Sequence, residues 1–545
     1  MKKDQKKTSV SAADKFVLKD IHMLLMTLVL AGIYYMYSFF SNGFYQHDEV
    51  AHYISMVGFW DNPQSILGNW SKTGYKLVYI FPALLGVNAV TIFNCLIAAF
   101  TCFICYKIAV VLKSRYSIVA FLLLASQPFW IQLSFRSYAD GFSGFILALA
   151  LLFHYNKKIP LACFLLSFSA IIRQEFYILL VIYGLYLLFN KKIWQSLILA
   201  IFPLFYNFWG YLVTNDILYL YTSAVETSQK YADEWPRQGF WHYFLMSITI
   251  FGALQVSLFI LYFSESILDG IQWIKQKIFK KIKGQVQESQ YVTSPVFIFT
   301  STIIYFLIHS VFNSKSLNIG AATGGNLRYM LAISPLIAVL GTISIDKFSY
   351  IKEKVKIFIV FFAFAVLVGV FMTYKHNNVI FSDQRDTSPL LFTIIAIIGI
   401  LFPFKYKQKI IYFFVVSSLS ALLLVKPFKI QPEETAIQKT VNWLVENDVA
   451  VNKDVHTNHV IFKFYWDKKE NKTHKTYGLD SLTINNAKKG SLLIWETHYS
   501  YRPKLNKLHV QYDYFSKKPD KFREIKSFTA TNSRFQIFVF EKLTE

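Results

Sequence analysis

The chain has 545 residues, of which 54% are hydrophobic, 18% aromatic and only 16% charged. Soluble domains carry about 25% charged residues, so a soluble globular enzyme is excluded as a description of the whole chain. The formal net charge of +23 does not call for nucleic acid, because Lys and Arg sit in small clusters between apolar blocks, where they orient membrane spans.

In chain order, residues 1–20 form a polar, basic tail containing Lys2, Lys3, Lys6, Lys7, Lys15 and Lys19. An apolar run from Ile21 to about Phe40 follows and ends in Asn42-Gly43-Phe44-Tyr45 without a small-residue cleavage site. This predicts an uncleaved first span with the tail in the cytoplasm. Apolar blocks near the ~20-residue length of a bilayer core then recur. They predict about thirteen spans, at 21–43, 88–111, 116–135, 140–155, 159–173, 175–190, 193–213, 241–262, 293–311, 328–345, 356–373, 388–403 and 409–426. Alternate connections are basic: Lys113/Arg115, Lys157/Lys158, Lys191/Lys192, Lys275 to Lys283, Lys347 to Lys356, and Lys405/Lys407/Lys409. All of these fall on the side of the N-terminal tail, and an odd number of spans puts the C-terminal region across the membrane from it. Cys95, Cys102, Cys105 and Cys163 lie inside apolar blocks. They read as small hydrophobes, the C-x-x-C spacing of Cys102 and Cys105 included.

From about Lys426 the chain becomes charged. A helix is predicted at Pro432–Asn447, with Pro432 early and Ile437, Val441, Leu444 and Val445 on one face. Strand-like runs follow at Asp454–Thr457, Ser491–Thr497 and Phe535–Glu541. The predicted fold class is an all-α polytopic membrane domain (21–426, about 13 transmembrane helices, first extracytoplasmic loop 44–87) with a small extracytoplasmic α/β C-terminal domain at 427–545. The C-terminal region shows no recognisable catalytic constellation, and the chain shows no internal repeat.

The sharpest chemical feature is Gln46-His47-Asp48-Glu49-Val50-Ala51-His52-Tyr53, just beyond the first span, leading into an amphipathic stretch with Val50, Ile54 and Val57. One reading makes Asp48 a helix N-cap with Glu49 in the favourable first turn. The other gives the carboxylates chemical work. His47, Asp48 and His52 suggest part of a metal site, but the ligand set is incomplete; no cofactor is assigned and a divalent metal stays open.

Three arginines bear on the choice. Arg136 (in Ser134-Phe135-Arg136-Ser137-Tyr138-Ala139-Asp140), Arg173 (in Ile172-Arg173-Gln174-Glu175) and Arg328 (in Gly324-Gly325-Asn326-Leu327-Arg328-Tyr329) each stand at the end of a different predicted span. The threading puts all three on the outer side. Snorkelling, or ion pairs of Arg173 with Glu175 and Arg136 with Asp140, would explain them singly. Together with the acidic pair they point to function, because outward arginines run against the positive-inside bias and ionisable groups at membrane depth are usually functional. Arginine forks fit phosphate oxygens, and a nearby carboxylate can take a proton from a hydroxyl nucleophile. This combination suits attack of an alcohol on a sugar linked to a lipid phosphate, with stabilisation of the leaving phosphate.

The organisation resembles the integral-membrane type-C glycosyltransferases, the group that includes the protein O-mannosyltransferases and the lipid A aminoarabinose transferase. The resemblance rests on the acidic pair Asp48-Glu49 in the first outer loop, the multi-span body, Arg328-Tyr329 entering a late span with Pro335 beyond, and the C-terminal domain. A His-Pro-Asp-Glu motif of some mannosyltransferases is matched only as His47-Asp48-Glu49, without the proline. The resemblance implies transfer of a sugar, a mannose-like hexose or a relative, from a polyprenyl-phosphate carrier to a hydroxyl acceptor on a glycan, lipid or protein. It implies Asp48 as catalytic base and Glu49 as its orienting or acceptor-positioning partner. The donor phosphate would be held by some of Lys72, Lys76, Arg136, Arg173 and Arg328, with His47, His52 and Tyr329 accessory. The expected location is a bacterial cytoplasmic (inner) membrane, in contact with membrane lipid and without nucleic acid. Glu226, Asp233 and Glu234 could contact the acceptor, although exposed-loop charge also explains them. Asn69-Trp70-Ser71 and Asn471-Lys472-Thr473 match the glycosylation pattern, which recurs by chance. The rival class is a transporter or flippase of lipid-linked sugars, which would place ionisable groups near the midplane on broken helices.

Overall fold

The computed structural model describes residues 19–41, 43–44, 46–68, 72–230, 236–279, 295–317, 324–348, 407–428, 430–469, 476–500, 508–531 and 533–544. The predicted spans 356–373 and 388–403, most of the basic tail, Asp233, Glu234 and both glycosylation patterns lie outside these residues.

The apolar blocks fold as helices. The first is α1, Asp20–Ser38; two short helices of the first loop follow, α2 at His47–Gly58 and α3 at Thr73–Leu84. Next come α4 (Val87–Val111), α5 (Ser117–Ala125), α6 (Pro128–Leu133), α7 (Ala139–Tyr155), α8 (Ile159–Ala170) and α9 (Phe176–Phe189). Later helices occupy Ile193–Ile198, Ile201–Thr214, Tyr219–Lys230, His242–Phe251, Ala253–Phe279, Val296–Phe312, Ser334–Phe348 and Lys407–Leu424. The long apolar helix α4 packs against α1, α5 and α7, and the core it shares with them contains Cys95, Cys102 and Cys105 as buried free thiols.

Four predicted spans are not continuous helices. The run 116–135 breaks between α5 and α6 at Pro128, which lacks an amide donor and restricts the residue before it. The run 193–213 breaks shortly before Pro203. In 241–262 the break is Gly252, whose φ of +86° ends one helix before the next begins. The run 328–345 opens with a 3-10 turn, Leu327–Ile333, and becomes an α-helix at Ser334-Pro335. Among the described residues, four helical segments have the length and apolarity to cross a membrane: Asp20–Ser38, Val87–Val111, Ile193–Thr214 and Leu327–Asp346. Seven shorter apolar helices accompany them, so the count of thirteen is not established by the described residues.

The C-terminal region is a small α/β unit. Its first helix is Pro432–Glu446, and its strands are β1 (Val455–Thr457), β2 (Thr476–Tyr477), β3 (Leu492–Glu496), β4 (Phe522–Thr529) and β5 (Gln536–Lys542). They form one sheet in the order β2-β1-β3-β5-β4, parallel between β2, β1 and β3 and antiparallel onward. The three predicted strands lie within one residue of β1, β3 and β5. Neither β2 nor β4 was expected: β2 has two residues, and β4 is an exposed edge carrying Arg523, Glu524 and Lys526.

This unit sits directly on α2. Val50 belongs to its hydrophobic core, and Phe44 packs edge-on against Phe464 with ring centroids 4.9 Å apart. The Ser41 hydroxyl at the end of α1 donates to the Phe428 carbonyl at 2.9 Å. The exits of α1 and of the last helix therefore meet, and the C-terminal unit lies on the same side of the helical domain as Asp48.

Candidate active site

Helix α2 starts at His47, and its N-cap is Gln46, not Asp48; the capping reading of Asp48 is thus replaced. Asp48 and Glu49 occupy the first turn, where the helix dipole favours negative charge. The expected apolar face is only partly buried. Val50 is fully buried, whereas Ile54 and Val57 are 38% and 37% exposed and line a cavity. The inward face of α2 consists of Asp48, Glu49, Val50, His52 and Met56. Buried charges must be paired, and both carboxylates are.

Asp48 Oδ2 accepts from Arg328 Nη2 at 2.5 Å, and Asp48 Oδ1 is 3.2 Å from His47 Nε2. Arg328 Nη1 donates to Gln46 Oε1 at 3.2 Å, and its guanidinium lies 4.3 Å from the centre of the Tyr138 ring. Arg328 Nε is 3.6 Å from Asp140 Oδ2, too far to bond, and is a buried donor with no acceptor in the protein. The turn that delivers Arg328 needs glycine: Gly324 and Gly325 have φ of +64° and +71°. The Asn326 side chain then accepts from the Arg328 amide at 3.2 Å and caps the 3-10 turn.

Asp140, in the first turn of α7, bonds Arg173 Nη1 through Oδ1. Arg173 Nη2 and Nε also bond Glu175, at 2.6 and 3.3 Å. The Arg173 guanidinium is 4.4 Å from the centre of the Tyr329 ring. Glu175 in turn lies 3.7 Å from the buried His309. The expected Arg173–Glu175 pair is present and is joined by Asp140.

The other expected pair is not. Arg136 bonds Glu49 (Nη1 to Oε2, 3.4 Å), not Asp140. It also donates to the carbonyls of Gly43 at 2.6 Å and Phe428 at 3.1 Å, and to the Ser41 hydroxyl. Arg136 therefore ties α2, the end of α1 and the entry to the C-terminal unit together. Glu49 Oε1 accepts from the Ser137 amide at 3.1 Å.

Lys72, the N-cap of α3, and Lys76, in its first turn, complete the cluster. Burial, then the neighbouring Arg173, pushes the Lys72 ammonium down to about 8. Burial pushes Lys76 down to about 7, with Asp48 opposing and Lys72 adding to the fall. His52 is held well below its ordinary value by burial and then by Lys76, so it is neutral. For Asp48, burial opposes ionisation, but the charge of Arg328, followed by His47, holds its carboxyl well below the usual range. The cluster thus has Arg328, Arg173, Lys72 and Lys76 against Asp48, Asp140 and Glu175, an arrangement that favours an added anion.

A cavity of about 950 Å³ opens beside Glu49 and Arg136. Tyr35, Phe44, Tyr53 and the C-terminal unit's Phe464 are among the residues lining it.

The structure also assembles residues to which the sequence reading gave no role: Gln46 and Tyr138 hold Arg328. In the C-terminal unit, Glu433, His459 and His498 place three potential ligand atoms within 4.8 Å of one another. His459 and His498 each follow the end of a strand, β1 and β3, by two residues. Only the parallel pairing of those strands joins them, so the sequence carries no local signal for the cluster.

No protein-family profile and no curated protein matches the chain. Among solved structures, ArnT from Cupriavidus metallidurans bound to undecaprenyl phosphate superposes with a TM-score of 0.59 at 9% identity, covering 95% of this chain and 97% of that one. The apo state of the same protein gives a TM-score of 0.55 with the same identity and coverage. Over nearly its whole length the chain is thus similar in fold to ArnT, as the resemblance to the type-C glycosyltransferases implied.

Proposed function

We propose that this protein is a membrane glycosyltransferase that moves a sugar from a polyprenyl-phosphate carrier to a hydroxyl acceptor at the outer face of a bacterial cytoplasmic membrane. The observation that carries the reading is the gathering of Arg328 and Lys76 at Asp48 and of Arg173 and Lys72 at the adjoining Asp140, with burial pushing both lysines down. A phosphate relieves that surplus of positive charge. Undecaprenyl phosphate in the ArnT structure of the same fold supports a lipid phosphate as the anion.

In this reading Asp48 accepts the proton of the acceptor hydroxyl as its oxygen attacks the anomeric carbon. The carbon–oxygen bond to the phosphate breaks, and the electron pair leaves with the phosphate. Arg328, Arg173 and the two lysines stabilise the charge developing on it. Glu49, held by Arg136 and the Ser137 amide, faces the large cavity and orients the acceptor. The apolar and aromatic lining of that cavity suits an amphiphilic acceptor. Arg136, already bonded to two carbonyls, serves as a tether and not as a phosphate ligand.

The transporter reading is less well supported, because the ionisable groups stand at helix ends and in short connecting turns. The test is release of radiolabelled sugar from undecaprenyl-phosphate-linked donors by the purified protein in native lipid extract. Asp48→Asn keeps size and hydrogen bonding but removes proton acceptance. It is expected to lower turnover about a hundredfold or more while donor binding persists. Near-normal turnover in Asp48→Asn returns the position to a structural role.

A further inference from the structure

Deepening the glycosyltransferase reading, on which it rests, we infer that Glu175 changes partner when a donor phosphate binds. It leaves Arg173 for His309, and the guanidinium it releases takes the phosphate. His309 is thereby a positioning residue of the donor site.

His309 comes from the last turn of the helix Val296–Phe312. Tyr305, one turn earlier, shares its face of that helix, and the two ring centroids are 4.7 Å apart. Tyr243 stands edge-on to the imidazole at 5.6 Å, and Tyr329 stacks on it at 5.6 Å. The hydroxyls of Tyr305 and Tyr243 donate to the carbonyls of Tyr329 and Asn326, at 3.2 and 3.4 Å. The imidazole is fully buried among these rings, and neither of its nitrogens has a hydrogen-bond partner in the protein. A buried polar group left in that state costs about 1–3 kcal/mol, which an apolar side chain would avoid. The carboxylate that faces it is Glu175, with Oε1 3.7 Å from His309 Nε2, just beyond bonding distance.

Arg173 supplies the reason for a donor held in waiting. Glu175 occupies its Nη2 and Nε at 2.6 and 3.3 Å, and Asp140 occupies Nη1. A phosphate held by two parallel bonds needs one edge of that fork. Each carboxylate on Arg173 has a second, buried donor nearby that lacks an acceptor. For Asp140 it is Arg328 Nε at 3.6 Å, and for Glu175 it is His309 Nε2. The two carboxylates differ in their freedom to turn. The Asp140 side chain, in the first turn of α7, is 4% exposed, whereas that of Glu175, the N-cap of α9, is 18% exposed.

A shift of about 1 Å brings Glu175 into hydrogen-bonding distance of His309. The Arg173 guanidinium keeps its place 4.4 Å from the centre of the Tyr329 ring, with its Nε–Nη2 edge open to the phosphate. No proton changes hands. A neutral imidazole with its hydrogen on Nε2 makes the new bond, and Glu175 is never left as a buried charge without a partner.

The experiment measures binding of undecaprenyl phosphate to the full chain in nanodiscs, with thermal melts to check folding. His309→Phe should weaken affinity about tenfold, because Glu175 can then leave Arg173 only at the cost of an unsatisfied carboxylate. His309→Gln, whose amide nitrogen stands in for Nε2, should stay within about threefold of wild type. In a Glu175→Gln background the exchange is not needed, so adding His309→Phe should change affinity less than about twofold. If His309→Phe does not fold, His309→Asn decides, since its shorter amide stands in for Nδ1 and should bind as weakly. Wild-type affinity in folded His309→Phe or His309→Asn overturns the exchange. An equal loss with Glu175 and with Gln at position 175 also overturns it and leaves His309 a packing residue only. A wild type that binds no undecaprenyl phosphate overturns the reading beneath it as well.

Discussion

At Asp48, burial and charge pull in opposite directions, and charge wins. Arg328 at 2.5 Å and His47 at 3.2 Å keep a buried carboxyl ionised. Removing one partner of such a pair leaves an uncompensated charge, costing about 3–5 kcal/mol. The residue types were legible in the sequence, since a carboxylate pair and outward arginines stand out among apolar blocks. Their pairing was not, because Arg328 and Asp48 are 280 positions apart and nothing local links them. For the same reason Arg136 was paired by proximity with Asp140, when its partner is Glu49, 87 positions away. Lys72 and Lys76 give a prediction at this scale. Each is charged below its folded value of about 8 or about 7 and neutral above it. Affinity for undecaprenyl phosphate should therefore fall as pH rises from about 6 to 9. The Lys72→Gln/Lys76→Gln double variant should bind more weakly at pH 6 and lose that slope, as binding isotherms in nanodiscs would show.

Among the elements, α2 presents charges inward, the reverse of an ordinary surface helix, which makes it the candidate site element. Spans were legible where the apolar run is uninterrupted, as in α1, α4 and α7, and failed where Pro128, Pro203, Gly252 or Pro335 divides the run. In the sheet, β4 escaped notice because edge strands carry charge instead of an apolar alternation. Just before α2, Glu434 of the first C-terminal helix accepts from the Phe44 amide at 3.1 Å and from the Tyr465 hydroxyl at 2.5 Å. Burial pushes Glu434 up to about 7. Between an unfolded value of about 4.5 and that folded value, the folded state binds more protons than the unfolded one, so stability falls as pH rises through this window. The contribution is fully present below about pH 4.5, and its loss by pH 8 amounts to about 3 kcal/mol. Glu434→Gln should flatten this dependence and raise Tm relative to wild type at pH 8, as thermal melts across pH 4.5–8 would reveal. Equal pH dependence in both proteins would mean that Glu434 stays ionised in the fold.

For the whole molecule, the basic connections predicted the side on which the arginines would meet, and the structure brings Arg136, Arg173 and Arg328 to the side of Asp48 and the C-terminal domain. If that side is extracytoplasmic, a tag after Glu545 is accessible to an impermeant label in intact cells, while a tag before Met1 is accessible only after lysis. Both termini on one face would break the threading from which the outer site was argued. What the sequence could not convey is how the C-terminal domain closes over α2, since that contact depends on Val50, Glu434 and the exits of two distant helices. The central claim is that Arg328 holds the phosphate of a lipid carrier next to Asp48. It is tested most directly by binding of undecaprenyl phosphate to wild type, Arg328→Lys and Arg328→Ala in nanodiscs. The account predicts measurable affinity in wild type, weaker binding in Arg328→Lys because the guanidinium fork is lost, and near-complete loss in Arg328→Ala. Wild-type affinity in a folded Arg328→Ala would contradict it.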